Sequence, residues 1–91
     1  MSVVIYGRDD CPWCDRANEL ARQHGLDVTY KSLSDRFDGA DYRTEMFDLC
    51  EKAGFKPKTV PQVFWNGKHI GGFNEFAEEI ENTKTFGDGP I

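Results

Sequence analysis

Apolar and polar positions along this chain change period several times, and each change marks an element. Val3-Val4-Ile5-Tyr6 is an unbroken apolar run leading into Gly7. It predicts a strand over residues 2–6 that is covered on both faces and therefore central in its sheet. From Trp13 the period becomes helical. Trp13, Ala17, Leu20 and Ala21 fall at i, i+4, i+7 and i+8, the stripe of an amphipathic helix. Gly25, directly after His24, is a suitable residue beyond its last turn. Val28, Thr29 and Tyr30 predict a second strand over residues 27–33. Strand, helix and strand in so short a span form a βαβ unit, which makes the two strands parallel across a right-handed crossover.

Residues 34–39 are polar and turn-forming. A second helix over residues 40–53 carries Tyr42, Met46, Leu49, Cys50 and Ala53 on one stripe, with Gly54 as its stop. Residues 55–58 form a loop rich in lysine and proline, and residues 61–65 read as a third strand. Asn66-Gly67 is the strongest short hairpin signal available, so residues 68–70 form a fourth strand antiparallel to the third. Gly71-Gly72 ends it. Phe73, Phe76, Ala77 and Ile80 mark a third helix with Asn74 as N-cap. From Thr83 onward, Gly87, Gly89 and Pro90 suggest a frayed tail. There is no internal repeat or domain boundary. The expected organisation is one α/β domain over residues 1–83 with a C-terminal tail at 84–91.

The chemistry concentrates at Cys11-Pro12-Trp13-Cys14, where the first strand turns into the first helix. Cys11 falls near the N-cap and Pro12 near the first helical position, where a missing N–H costs nothing. Helical spacing brings two cysteines three apart onto one side of the first turn. The unpaired N–H groups and positive dipole end of the helix favour a thiolate at Cys11, the reactive form of the side chain. The pair reads as a redox centre. Half of a zinc site is the competing reading, but a structural zinc takes four ligands. The remaining soft donors, Cys50, His24 and His69, are distant in sequence and unpaired, so no metal site is expected. A structural disulfide competes weakly, because so short a loop constrains the unfolded chain little. Cys50, on the apolar stripe of the second helix, reads as a small core thiol.

Composition narrows the class further. Ninety-one residues leave room for one core. A formal net charge of −5 argues against general binding to nucleic acid or an anionic membrane. No positively charged leader precedes an apolar run, and no apolar stretch approaches the about 18 residues of a membrane span. Three cysteines are an odd count, unlike a secreted disulfide scaffold. A reducing, cytoplasmic compartment is expected, where a dithiol is usually catalytic.

Three segments in register carry a resemblance. They are Gly7-Arg8-Asp9-Asp10-Cys11-Pro12-Trp13-Cys14, Thr59-Val60-Pro61-Gln62-Val63-Phe64 and His69-Ile70-Gly71-Gly72-Phe73, with Lys52-Ala53-Gly54 between. Together they resemble the small dithiol glutaredoxins of bacteria and their phages, across about residues 2 to 81. The resemblance implies the minimal thioredoxin fold, βαβαββα, a four-stranded mixed sheet flanked by three helices. It also implies a glutathione-dependent thiol–disulfide oxidoreductase that reduces glutathione mixed disulfides and protein disulfides. Cys11 would attack and Cys14 would resolve. No bound cofactor is implied, glutathione being a co-substrate. Other implied partners are disulfide-containing proteins, with ribonucleotide reductase suggested by family analogy, and the protein is expected to be a monomer.

The same resemblance assigns the binding residues. Pro61 matches the family's cis-proline, which turns the Val60 backbone toward an extended cysteinyl peptide as one added β-ladder step. Gly72, with Gly71, lets substrate approach the third helix, whose first amides suit the γ-glutamyl carboxylate. Asn74 and Glu75 match side-chain contacts to that end. Arg8 matches a basic position facing the glycine carboxylate, with Lys58 a second candidate. Trp13, Thr59 and Phe73 complete the glutathione set. Taken singly, the glycine pair could be only a turn, Thr59 the end of a loop, Arg8 a solvated charge and Trp13 a core residue. The chain departs from the family pattern at Trp13, where tyrosine is usual, and at Glu75, where aspartate is usual. Asp9 and Asp10 also set two acids beside the nucleophile. Two alternatives stand beside this reading: a thioredoxin-like carrier reduced by a flavin reductase, and a non-enzymatic metal or iron–sulfur binding module. Pro-Trp between the cysteines and the motif's early position weigh against the first, and Pro12 against the second.

Overall fold

The computed structural model describes residues 2–87, with side chains through residue 82. In chain order the elements are β1 (Ser2–Gly7), α1 (Pro12–Gln23), β2 (Asp27–Ser32), α2 (Gly39–Lys52), β3 (Gln62–Trp65), β4 (Lys68–Gly71) and α3 (Phe73–Gly87). This is the expected βαβαββα order, with boundaries within a residue or two of the sequence reading for most elements. The four strands form one mixed sheet in the order β2-β1-β3-β4. β1 pairs parallel with β2 and antiparallel with β3, and β3 pairs antiparallel with β4. β1 is therefore central, as its doubly apolar pattern requires.

Alternation along the strands divides the core into two layers. Val3, Ile5, Val63 and Trp65 face α1 and α3, where they pack with Ala17, Ala21, Phe76 and Ile80. On the other face Tyr6 and Phe64 pack against Met46 and Cys50 of α2. Cys50 is fully buried, and burial pushes its thiol pKa up, so the side chain stays a neutral core thiol as expected. Asn66 and Gly67 both have positive φ (52° and 83°), the two-residue turn that the Asn-Gly pair predicts. α1 and α2 end alike. Leu26 N–H reaches Ala21 O and Gly25 N–H reaches Arg22 O, while Phe55 reaches Cys50 and Gly54 reaches Glu51. Both patterns are Schellman motifs.

Three expectations change. Trp13 is not on the buried stripe of α1; that stripe is Cys14, Ala17 and Ala21, and Trp13 is 51% exposed. Side chains in a first helical turn lean back past the helix start, and at this position the sheet no longer covers them. Asn74 is not the N-cap of α3. The helix begins at Phe73, and Gly72 N–H donates to Glu75 Oε1 at 2.8 Å. A glutamate three positions into the helix thus closes the backbone half of a capping box. Finally, α3 continues to Gly87, past Thr83, because no glycine or proline interrupts residues 83–86. The rest of the expected tail, residues 88–91, lies outside the described residues.

Two polar groups tie the layers together. Glu45 on α2 accepts from the Tyr6 hydroxyl and pairs with Lys31 of β2 through the same oxygen. Lys31 also lies over the rings of Tyr6 and Tyr42, 5.7 and 5.6 Å from their centroids. The Lys31 bond, then the Tyr6 bond, hold the Glu45 carboxyl below its ordinary pKa. Gln62, at 2% exposure, is the other group. Its Nε2 donates to Thr59 O at 2.8 Å, so its Oε1 faces His69 Nε2 at 2.9 Å and fixes the proton on that nitrogen.

Glu45→Gln is expected to lower stability at pH 7 by about 1 kcal/mol, measured by urea unfolding. A depressed folded pKa contributes stability that is present above the unfolded carboxylate value and disappears as pH falls through the folded one. The gap between wild type and variant is therefore expected to close in acid. Gln62→Leu removes the hydrogen-bond partner of the Thr59 carbonyl and of the half-buried His69 imidazole, and is expected to cost about 1–2 kcal/mol in the same measurement.

Candidate active site

The first strand delivers the chain to the top of the sheet, and Gly7 decides how closely α1 settles there. A Cβ on Gly7 would lie 2.9 Å from Cys14 Cβ and closer still to the Tyr30 hydroxyl. The glycine thus lets the cysteine turn pack directly on the end of β1 and beside β2. Cys11 is the N-cap of α1, in extended conformation, and Pro12 follows at the first helical position, as the spacing predicts. Cys11 Sγ accepts from Cys14 N–H at 3.1 Å, and Asp15 N–H donates to Cys11 O at 3.1 Å. An amide aimed at sulfur in a helix N-terminus stabilises negative charge on that sulfur.

Cys11 and Cys14 are joined in a disulfide with their Cα atoms 5.2 Å apart. The two sulfurs are not equivalent toward solvent. Cys14 has no exposed surface, whereas Cys11 keeps 8%. An incoming reagent meets Cys11 first.

The loop ahead of the motif is pinned to β2. Tyr30 donates its hydroxyl to Arg8 O at 3.3 Å, Ser32 Oγ donates to Asp9 Oδ1 at 3.0 Å, and Asp9 N–H donates to Ser34 Oγ at 3.3 Å. Burial, and then the charges of Asp15 and Asp9, raise the Tyr30 pKa, which keeps the hydroxyl protonated as a donor. Asp9 is thereby turned into a loop contact. The sequence pattern missed these partners, because a tyrosine and serines on a half-buried strand read only as strand residues.

The second wall comes from the segment entering β3. The Val60–Pro61 peptide bond is cis, as the resemblance implies. Cys11 Sγ lies 3.8 Å from Val60 O. Val60 stands just ahead of β3, whose pairing with β1 ends at Tyr6–Gln62, so its own N–H and C=O are not used by the strand ladder. The Gln62 amide holds the Thr59 carbonyl beside it, and His69 holds Gln62. Burial keeps His69 below its ordinary pKa, with Glu75 opposing. The signal for this chain was a glutamine inside an apolar strand.

α3 supplies the third wall. Gly71 has φ 124°, which only glycine adopts without strain, and it swings the chain from β4 into α3. The first N–H groups of α3 lack intrahelical acceptors, and the start of the helix lies beside the cysteine turn, Phe73 against Trp13. A groove of about 330 Å³ lies between these walls, lined by Trp13, Thr59, Val60, Pro61, Gly72, Phe73, Asn74 and Glu75. Eight of the nine binding positions expected from the sequence thus meet in one depression. Trp13 forms its rim, 5.4 Å from the Phe73 ring and with the Arg16 guanidinium 4.8 Å over its own. Arg8 is the exception. It lines an adjoining cleft with Lys58, and the two depressions share Thr59 and Val60.

Comparison with known proteins bears on this geometry. A family model described as glutaredoxin matches residues 3–70. Glutaredoxin 1 of Escherichia coli K12 is 40% identical over 84 residues, covering 89% of this chain and 94% of its own length. Glutaredoxin 1 of Salmonella typhimurium is 38% identical over 90 residues, covering 94% and 99%. Among solved structures, reduced Escherichia coli glutaredoxin superposes with a TM-score of 0.71 at 35% identity, covering 92% of this chain and 98% of that one. A buckwheat glutaredoxin–glutathione complex superposes equally well, with a TM-score of 0.71 at 27% identity, covering 92% and 72%. Neither the flavin-reductase-dependent carrier nor the metal-binding module is favoured by these relatives. With a Cys-x-x-Cys disulfide at a helix start, a matching fold and close relatives along nearly its whole length, the chain belongs to the glutaredoxin family and is a thiol–disulfide oxidoreductase.

Proposed function

We propose that the protein uses glutathione as its reductant and reduces both glutathione mixed disulfides and protein disulfides in a reducing, cytoplasmic setting, acting as a monomer. The observation that carries this reading is the groove beside Cys11, in which Trp13, Thr59, Val60, Pro61, Gly72, Phe73, Asn74 and Glu75 come together. The buckwheat relative, whose structure is a complex with glutathione, supports the same ligand.

Glutathione is an extended cysteinyl peptide with a carboxylate at each end. Its cysteine lies at Cys11 and pairs with the free Val60 N–H and C=O. The γ-glutamyl carboxylate meets the first N–H groups of α3, where the helix dipole favours an anion. Asn74 and Glu75 reach the same end. Glu75 already accepts from Gly72 N–H, so one of its oxygens orders the cap while the other is available to an ammonium group. Trp13 and Phe73 border the groove. The glycine carboxylate points the opposite way, toward Arg8, with Lys58 nearby.

The reaction is two thiolate displacements. Cys11 thiolate attacks the glutathionyl sulfur of a mixed disulfide, and the substrate leaves as its thiolate. A second glutathione thiolate then attacks the Cys11-bound glutathione, giving glutathione disulfide and free Cys11. With a protein disulfide, Cys11 forms a mixed disulfide with one substrate sulfur and releases the other. Cys14 then attacks Cys11 Sγ, releases the reduced substrate and forms the Cys11–Cys14 disulfide. Two glutathiones return that disulfide to the dithiol.

Cys11→Ser is expected to abolish activity on both substrate types. Cys14→Ser is expected to keep reduction of a small glutathione mixed disulfide and to lose most reduction of a protein disulfide. If Cys14→Ser were as inactive as Cys11→Ser on the glutathione substrate, the monothiol step would be wrong. Arg8→Gln removes one charge-assisted contact to a carboxylate. It is expected to raise KM for the glutathione mixed disulfide about tenfold with kcat little changed; an unchanged KM would separate Arg8 from the glycine end.

A further inference from the structure

The cleft on the far side of Val60, about 160 Å³ in volume, holds more recognition surface than glutathione can use. Three cations border it: Arg8 from the loop after β1, Arg43 from α2 and Lys58 from the loop before β3. Among the described residues none of the three has a carboxylate within ion-pair distance. In a chain of net charge −5 this is a local reversal of sign. Between the cations the wall is apolar, formed by Met46, Phe47 and Pro57. Phe47 is 46% exposed although it sits on a helix with a buried face to offer.

The cleft is continuous with the groove through Thr59 and Val60. An extended chain paired with Val60 therefore places the residues on one side of its cysteine in the groove and those on the other side in the cleft. In the orientation of the proposed function, the residue following cysteine enters the cleft. Glutathione has only glycine there. Its carboxylate engages Arg8 or Lys58, but it has no side chain to cover Phe47 and no further residue to engage Arg43.

We infer that the cleft is a subsite for protein disulfide substrates, selecting a large apolar residue directly after the reacting cysteine and an acidic residue after that. The apolar side chain covers Phe47 and Pro57, which removes exposed apolar area from water. The acidic side chain comes among Arg43, Lys58 and Arg8, where the cations also raise its rate of encounter. The inference rests on the glutathione orientation given above.

Thiol exchange on the Cys14→Ser protein tests it. Charged first with glutathione at Cys11, the protein is equilibrated with short peptides carrying Cys-Phe-Glu, Cys-Phe-Lys or Cys-Gly-Gly. Each peptide thiolate displaces glutathione from Cys11, giving one mixed disulfide for another plus one glutathione, and intact mass reads the ratio. Cys-Phe-Glu is expected to be favoured about tenfold over Cys-Gly-Gly and severalfold over Cys-Phe-Lys. Phe47→Ser is expected to erase the preference for phenylalanine, and Arg43→Gln that for glutamate. Both residues are exposed, and in the Cys14-intact enzyme both variants are expected to turn over the glutathione mixed disulfide within twofold of wild type. Equal ratios for the three peptides would overturn the inference alone, as would ratios unmoved by either variant. Failure of the Cys14→Ser protein to take up glutathione at all would overturn the glutathione reading beneath it.

Discussion

Everything at the active site depends on one close contact, the seating of Cys14 on Gly7 at the end of the central strand. With no side chain at Gly7, the first turn of α1 reaches the sheet, and the Tyr30 hydroxyl fits beside it. That contact buries Cys14 completely, whereas its partner keeps 8% of its surface open. The two cysteines thereby acquire different chemistry from identical side chains. The more accessible one sits at the helix N-terminus, where amides stabilise its thiolate. The buried one is within bonding reach of Cys11, which is what the proposed resolving step requires of it.

The opposite wall is held by hydrogen bonds rather than by apolar packing. Thr59, Val60 and Pro61 belong to a loop, yet they must keep Val60 O near Cys11 Sγ. Gln62 supplies the rigidity. It is buried, it binds the Thr59 carbonyl, and its orientation is fixed by His69 on the neighbouring strand. His69 in turn lies against the rings of Phe55 and Phe64, 4.7 and 5.1 Å between centroids. A polar chain of this kind is costly if any member loses its partner. Among the described residues no buried side-chain polar atom lacks one. The site is thus built on satisfied polar groups in one wall and on a glycine-permitted close packing in the other.

Charge is distributed with similar economy. The chain is acidic overall, but the acids nearest Cys11 are engaged or face outward. Asp9 accepts from Ser32, and Glu75 caps α3. Three cations, Arg8, Arg43 and Lys58, border the cleft on the far side of Val60, where an incoming chain would carry its carboxylate. Steering toward the cysteine can therefore be attractive even though the molecule as a whole repels anions.

Much of this was legible in the sequence because it depends on local physics. The βαβ unit, the Asn66-Gly67 hairpin, the glycine-stopped helices and the cysteine turn each follow from period, turn chemistry or capping within a few residues. The family pattern added the cis peptide before Pro61 and eight residues that meet in one groove. Other features were decided only by the tertiary structure. Trp13 lies on a helical stripe by spacing, but its exposure depends on where the sheet ends. Gly72 rather than Asn74 stands at the cap of α3, because Glu75 can reach back to the Gly72 amide once β4 has delivered the chain there. The parting of Arg8 from the other residues expected to bind, and its meeting with Arg43 and Phe47, joins a loop to a helix on the other side of the sheet. No local pattern encodes such a meeting, since it is set by how α2 packs across Tyr6 and Phe64. The sequence by itself determined the elements and the reactive pair; packing across the sheet decided which side chains share a surface.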